Sequence, residues 1–279
     1  MLALAGAMQP AAAADLAVKA PLYKAPPVIE IWSWSGFYVG LNGGYSWGRS
    51  RTDIGFFNTV TGAPIATPGS ITSNRFNLNG GVFGGQAGYN WQSGSFVAGV
   101  ETDIQWSGEK GSTNFFCAAA PGGGAFGACA PGLTFTPPGA TGVNLSFEQK
   151  LQWFGTLRGR VGGLITPSVL AYVTYGLAYG EVKTNATLGG FTANGTAVAA
   201  AFSHSVTKGG WTVGAGLEGR LGGNWTGKVE YLYVDLGSIS GTVINTPALI
   251  GATYNSKITD NIFRVGVNYH FNAPVVARY

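Results

Sequence analysis

Apolar and polar positions alternate along most of this chain. In NIFRVGVNYHF (residues 261–271), Phe263, Val265, Val267, Tyr269 and Phe271 share one parity. Ile262, Arg264, Gly266, Asn268 and His270 share the other. Successive side chains point to opposite faces of a strand, so this segment is a ribbon with one greasy side. Seven further segments show the same alternation: residues 36–48, 81–91, 95–106, 151–163, 169–180, 210–223 and 224–237. Each is about the 9–11 residues that a tilted membrane strand needs. The intervals between them are alternately short (near 92–94, 163–168 and 222–224) and long (near 49–79, 107–148, 182–209 and 236–260). The pattern predicts an all-β fold: an eight-stranded antiparallel transmembrane β-barrel with short periplasmic turns and long extracellular loops. An even strand count leaves both chain ends on the periplasmic side.

Composition separates this reading from a soluble barrel. Only 10% of the 279 residues are charged and 13% are aromatic. A soluble surface needs about a quarter to a third charged residues, and the polar faces here are mostly Gly, Thr and Gln with a few charges. No run approaches the roughly 20 apolar residues of a spanning helix. Trp47, Trp91, Trp106, Trp153, Trp211 and Trp225 lie near segment ends, where aromatic girdles meet the two membrane interfaces. The net charge of +4 is carried by scattered Lys and Arg, so no cluster points to nucleic acid.

With the aromatic face toward lipid, the barrel interior receives Glu101, Asp103, Arg158, Arg160, Glu218, Arg220, Lys228, Glu230 and Arg264. Unpaired charges in a narrow lumen are costly, so these should pair, with Glu218 opposite or near Lys228. An eight-stranded barrel is just wide enough to be filled by side chains. The residues leave two arrangements open: a salt-bridged plug, or a narrow path for ions or small solutes lined by the same groups.

The ends and the cysteines add detail. Residues 1–14 end in an Ala-rich stretch that fits the small-residue rule for signal cleavage before Asp15, although a basic n-region is missing. Residues 15–35 read as a Pro-rich periplasmic linker, 36–271 as the barrel and 272–279 as a tail. Cys117 and Cys129, the only cysteines, sit at short spacing in an exported chain, which favours one disulfide over two free thiols. His204, expected in an outer loop, and His270, at the periplasmic end, fall on opposite sides of the membrane. No cofactor, metal or catalytic constellation follows, and an enzyme is not expected.

The motifs ADLAVKAP, WSGFYVGLNGGYSWG, GGVFGGQAGYNWQ, FVAGVETDI, LRGRVG, YVTYGLAYG, GWTVGAGLEGRL, KVEYLYVDLG and NIFRVGVNYHF occur in this order between residues 14 and 271. In this the chain resembles the outer-membrane immunogenic protein family of rhizobia, Brucella and their relatives, small porin-family barrels. The resemblance implies an abundant surface protein of the bacterial outer membrane with a structural and surface-interaction role. It implies contact with outer-membrane lipid, lipopolysaccharide and peptidoglycan. Gly266, Tyr269 and Phe271 resemble the C-terminal signal read by the barrel assembly machinery, although here eight residues follow the last aromatic.

Overall fold

The structure, a computed structural model, describes residues 30–64, 72–119, 126–131, 142–191, 195, 197–245, 250–271 and 275–276. Its strands are β1 (Glu30–Ile31), β2 (Gly36–Asn58), β3 (Thr72–Ser93), β4 (Phe96–Ala119), β5 (Phe126–Pro131), β6 (Gly142–Thr166), β7 (Val169–Phe191), β8 (Ala197–Gly222), β9 (Trp225–Asn245), β10 (Ile250–His270) and β11 (Val275–Val276). Eight of them form an antiparallel ring in the order β3-β2-β10-β9-β8-β7-β6-β4, closed by pairing of β3 with β4. Two-residue turns at Gly94-Ser95, Pro167-Ser168 and Gly223-Asn224 share one end with β1 and with the exit of β10. Gly94 and Gly223 adopt φ of 60° and 52°, which tight hairpins demand. This is the periplasmic end.

The outward face of the lower ring carries Phe37, Leu41, Phe83, Val100, Leu157, Val173, Leu217, Val229 and Val265, all exposed. Apolar side chains facing out around a closed ring make a lipid belt. Trp47, Trp106, Tyr179 and Trp211 mark its outer rim, and Trp91, Trp225, Tyr269 and Phe271 its periplasmic rim.

The ring strands are far longer than the alternation in the belt predicts. β9 and β10 have 21 residues and β8 has 26. At a rise of about 3.3 Å per residue, strands of this length reach well beyond an apolar band about 25 Å tall. The segments expected to be long extracellular loops are therefore mostly strand, which corrects that expectation. His204 accordingly lies in β8 rather than in a loop. The intervals left between ring strands are 59–71, 120–141 (which contains β5), 192–196 and 246–249.

Above the belt the ring changes character. Among the described residues, the β3–β4 ladder stops at Asn79 with Lys110, and the β8–β9 ladder at Trp211 with Asp235. The upper strands thus divide into two four-stranded sheets, β9-β10-β2-β3 and β4-β6-β7-β8. Bulges cluster at this level: in β4 between Trp106 and Glu109, in β6 between Leu151 and Trp153, and in β9 opposite Lys257 and Thr259. In β9 the extra residue is accommodated by Gly237 at φ 73°, whose N–H bonds Asp235 Oδ1 at 2.8 Å. Bulges raise the local twist and bend the strand, which opens the ring into facing sheets. The two sheets enclose one apolar core. Ile54, Phe76, Leu78, Ile239, Tyr254 and Ile258 come from one, and Phe115, Val143, Leu145, Phe147, Val182 and Ala186 from the other. Phe147 spans the gap, with ring centroids 6.3 Å from Phe76 and 5.4 Å from Tyr254.

β5 pairs along the outer end of β4, with Cys117 directly opposite Cys129 in the register. Cys117 is disulfide-bonded. β1 pairs with β11, so part of the tail returns to the chain ahead of the barrel.

Candidate functional site: a lumen filled in layers

At the periplasmic mouth the residues just before β2 turn inward. Trp34 is fully buried among Val97, Leu170 and Tyr172. Its backbone N–H donates to Gln92 Oε1 at 2.8 Å and its indole N–H to the Pro167 carbonyl at 3.3 Å. Trp32 packs edge-on against Trp34 and His270, at 5.9 and 5.4 Å between centroids. His270 also stacks on Tyr38 at 5.3 Å. The expected linker therefore ends earlier than residue 35, because two tryptophans placed two apart bury more apolar area in the mouth than they would in water.

The next layer holds the ions. Arg158 donates to Glu101, to Asp103 Oδ2 at 2.9 Å and to Glu230 Oε1 at 2.9 Å. Arg264 reaches Asp103 Oδ2 at 2.8 Å and Glu230 Oε2 at 2.6 Å. Arg160 reaches Glu218 Oε2 at 2.7 Å, and Lys228 reaches Glu101 Oε1 at 3.0 Å. Four cations face four carboxylates, and all eight are buried. Charges out of water persist only when paired and hydrogen-bonded, and this cluster is formally neutral. Polar neighbours add to it. The Tyr38 hydroxyl donates to Glu101 Oε2 at 2.8 Å, Thr156 to Asp103 Oδ2 at 2.8 Å, Thr226 to Glu218 Oε1 at 2.6 Å and Asn268 to Glu218 Oε1 at 2.7 Å. The Arg160 guanidinium also lies 4.0 Å from the Tyr172 ring centroid.

Glycines make room for these side chains. Gly176 is the cross-strand partner of Arg158, and Gly44 that of Arg264. A Cβ on Gly176 would stand 2.1 Å from the Leu157 carbonyl oxygen, and one on Gly44 2.1 Å from that of Phe263. At these two positions the neighbouring backbone comes so close to the base of the arginine that only glycine fits on that side.

Of the expected interior charges, Glu101, Asp103, Arg158, Arg160, Glu218, Lys228, Glu230 and Arg264 come together. Arg220 does not. It sits half-buried at the periplasmic rim with its guanidinium 4.8 Å from the Trp32 ring centroid and its Nε donating to the Gly223 carbonyl at 3.3 Å. Its place next to the tight turn puts it below the lumen, and this corrects its expected role. Glu218 and Lys228 are register partners, yet Lys228 bonds Glu101 and Glu218 bonds Arg160. Long side chains in a narrow lumen choose partners across it as readily as beside it. Gly266 faces inward beneath Asn42, while Tyr269 and Phe271 face outward with rings 5.1 Å apart.

Where the barrel opens into sheets lies a second, smaller acidic site. Ser46 donates to Asp260, and Ser107 to Glu109 Oε1 at 3.0 Å. Both carboxyls are buried. Burial pushes Asp260 up to about 6, and burial together with Asp260 pushes Glu109 well above the usual carboxylate range. A hydroxyl cluster follows, with Ser50 bonding Gln149 Oε1 at 2.6 Å and Ser256 at 2.7 Å. The sandwich core closes the outer end. Among the described residues, no group of three or more His, Cys, Asp or Glu could hold a metal ion.

A closed antiparallel ring with a lipid-facing belt, flanking aromatics and a polar, filled lumen is an integral outer-membrane β-barrel. The outer membrane protein beta-barrel domain family matches residues 1–271, and the chain belongs to that family. It is 35% identical over 262 residues to the 31 kDa outer-membrane immunogenic protein of Brucella melitensis biotype 1, covering 94% of this chain and 93% of that one. It is 33% identical over 209 residues to the 22 kDa outer membrane protein of Rhizobium leguminosarum bv. viciae, covering 75% and 67%. Among solved structures, the outer membrane protease OmpT from Escherichia coli superimposes with a TM-score of 0.45 at 10% identity, covering 85% of this chain and 97% of that one.

Proposed function

We propose that this protein is a non-conducting structural barrel of the outer membrane, whose role is to hold a rigid β-sandwich above the cell surface. One observation carries the reading: side chains fill the lumen in succession, from the Trp34 plug through the neutral ion cluster to the apolar sandwich core. A solute path needs a continuous polar and hydrated route, and an apolar core packed between two sheets is the opposite of one. The surface role rests on the sandwich, at whose far end β2, β4, β7 and β9 finish and β3, β6, β8 and β10 begin, since binding concentrates where a rigid scaffold ends. A non-enzymatic role is supported by His270, which is enclosed by Trp32, Trp34 and Tyr38, with Thr226 Oγ1 and Glu218 Oε1 at 3.2 and 3.4 Å from its Nε2. In the same reading, outward-facing Tyr269 and Phe271 serve recognition by the assembly machinery, and peptidoglycan is a partner on the periplasmic side.

The test is conductance of the refolded protein in a planar bilayer, with insertion verified by protease protection. A silent bilayer is expected. Discrete, charge-selective steps would replace this reading with a narrow channel lined by Asp103, Arg158 and their partners.

A further inference from the structure

Six adjacent strands each carry an outward-facing cation at the level where the barrel opens into sheets. The register places Lys257, Arg51 and Arg75 opposite one another in one cross-strand row, and Lys110, Lys150 and Lys183 in a second. A hydrogen-bonded row climbs around a tilted barrel. The second row begins opposite Asn79 rather than Arg75, which cancels the climb and keeps all six in one band. Like charges directly opposite in a sheet are destabilising, so two rows of three need anions. Acids offset part of the charge: Glu148 lies 3.0 Å from Lys150, Asp235 3.2 Å from Lys257 and Asp53 3.9 Å from Arg51. Among the described residues, Arg75, Lys110 and Lys183 have no ion-pair partner.

The band is one-sided. Among the described side chains at the periplasmic rim, the only charge outside the ion cluster is Arg220, and it packs on Trp32. A cationic band at one interface matches a bilayer with anionic phosphates concentrated in one leaflet. The second row also stands directly above an aromatic shelf. Trp106 and Trp153 are cross-strand partners, Trp153 meets Tyr179 at 6.1 Å, and the Trp153 indole N–H is fixed by Glu181 Oε2 at 2.8 Å. Cations above aromatics suit an amphiphile with a phosphorylated head and apolar tails.

We propose that Lys110, Lys150 and Lys183, over the shelf of Trp106, Trp153 and Tyr179, bind a phosphorylated glycolipid of the outer leaflet. Its phosphate lies across the lysine row and its acyl chains run down the shelf. The site rests on the same membrane orientation as the function proposed above and is independent of whether the lumen conducts.

The test is native mass spectrometry of the full chain in detergent micelles, titrated with bisphosphorylated lipid A, fully dephosphorylated lipid A and inorganic phosphate. The variant K110Q/K150Q/K183Q is compared with R51Q/R75Q/K257Q, and folding is checked by heat-modifiable gel mobility. Wild type is expected to retain bisphosphorylated lipid A and to lose at least tenfold in affinity for the dephosphorylated form. Each surface lysine contributes about fivefold near a charged interface, so the lysine-row variant should weaken by at least tenfold, and more than the other row. Equal retention of the two lipid forms by wild type would overturn the proposal without any variant. So would equal effects of the two rows, or displacement of the lipid by millimolar inorganic phosphate, which would mark a free-anion site.

Discussion

Removing Arg158 should be among the most damaging single changes to the barrel. Its guanidinium bonds Glu101, Asp103 and Glu230, and also donates to Thr156 Oγ1 at 2.9 Å and Thr174 Oγ1 at 3.2 Å. Arg158→Met keeps much of the apolar stem and deletes the charge, leaving four carboxylates facing three cations in a sealed lumen. Breaking a buried ion pair from one side typically costs about 3–5 kcal/mol, because the orphaned charge stays out of water. Much of that cost is imbalance, so R158M/E101Q, which restores neutrality, should recover a measurable part of it. Arg220→Met, at the half-exposed rim, should cost within about 0.5–1 kcal/mol. The assay is reversible urea unfolding from lipid vesicles, followed by tryptophan fluorescence. If R158M and R220M lose similar stability, or if the double variant is worse than R158M by the full cost of a second single change, the neutral-cluster argument is wrong.

Three further outcomes follow from the same geometry. Asp260 has its folded pKa raised to about 6 from an ordinary value of 3.8, so its contribution to stability is fully present below about pH 4 and is lost as pH rises through 6. Unfolding midpoints should therefore fall between about pH 4 and 6 in wild type, less so in Asp260→Asn, and an unchanged slope in that variant would refute the assignment. Cys117→Ser should raise amide hydrogen exchange in β5 and the outer end of β4 while leaving the belt strands protected; exchange unchanged at β5 would show that the cross-link does not hold that arm. Trp34→Ala should cost about 3–5 kcal/mol and still give a silent bilayer, because the ion cluster above it is intact; conduction in this variant would make the tryptophan the sole barrier.

Much of the belt was legible because its rule is simple: apolar out, polar in, period two. The reading stopped at the belt because the sense of the alternation inverts there. In β10, Phe263, Val265 and Val267 face lipid while Arg264 and Asn268 face the lumen. A few residues earlier, Tyr254 and Ile258 face inward, and Asn255 and Lys257 outward. In β6, Val143, Leu145 and Phe147 point in while Asn144, Ser146, Glu148 and Lys150 point out, a soluble-sandwich pattern. A search for greasy outer faces passes over such segments and returns loops. Bulges near Gly108 and Trp153 add to the difficulty, since one extra residue switches the parity.

The interior charges were legible by parity, and Tyr38, Gln86, Asn268 and His270 share it. Their partners were not legible, since cross-strand register fixes where a side chain starts and not where a long one ends. Tyr172 escaped because residues 169–180 alternate in size more than in polarity. The plug escaped because Trp32 and Trp34 lie in a Pro-rich stretch, yet two tryptophans in a supposed solvated linker are themselves the signal. Glycine opposite arginine, as in Gly176 with Arg158, becomes readable only once the register is known.

The most direct test of a filled lumen is cysteine accessibility along it. In a C117S/C129S background, single cysteines at Ser50, Thr156 and Thr226 sample the hydroxyl cluster, the ion cluster and the layer above the plug, and one at exposed Ser240 serves as control. A small charged methanethiosulfonate reagent is added from each side of a proteoliposome. The account predicts rapid labelling at 240 from the outside and none at 50, 156 or 226 from either side. Labelling at 156 from both sides in the folded protein would mean a continuous aqueous path and would contradict it.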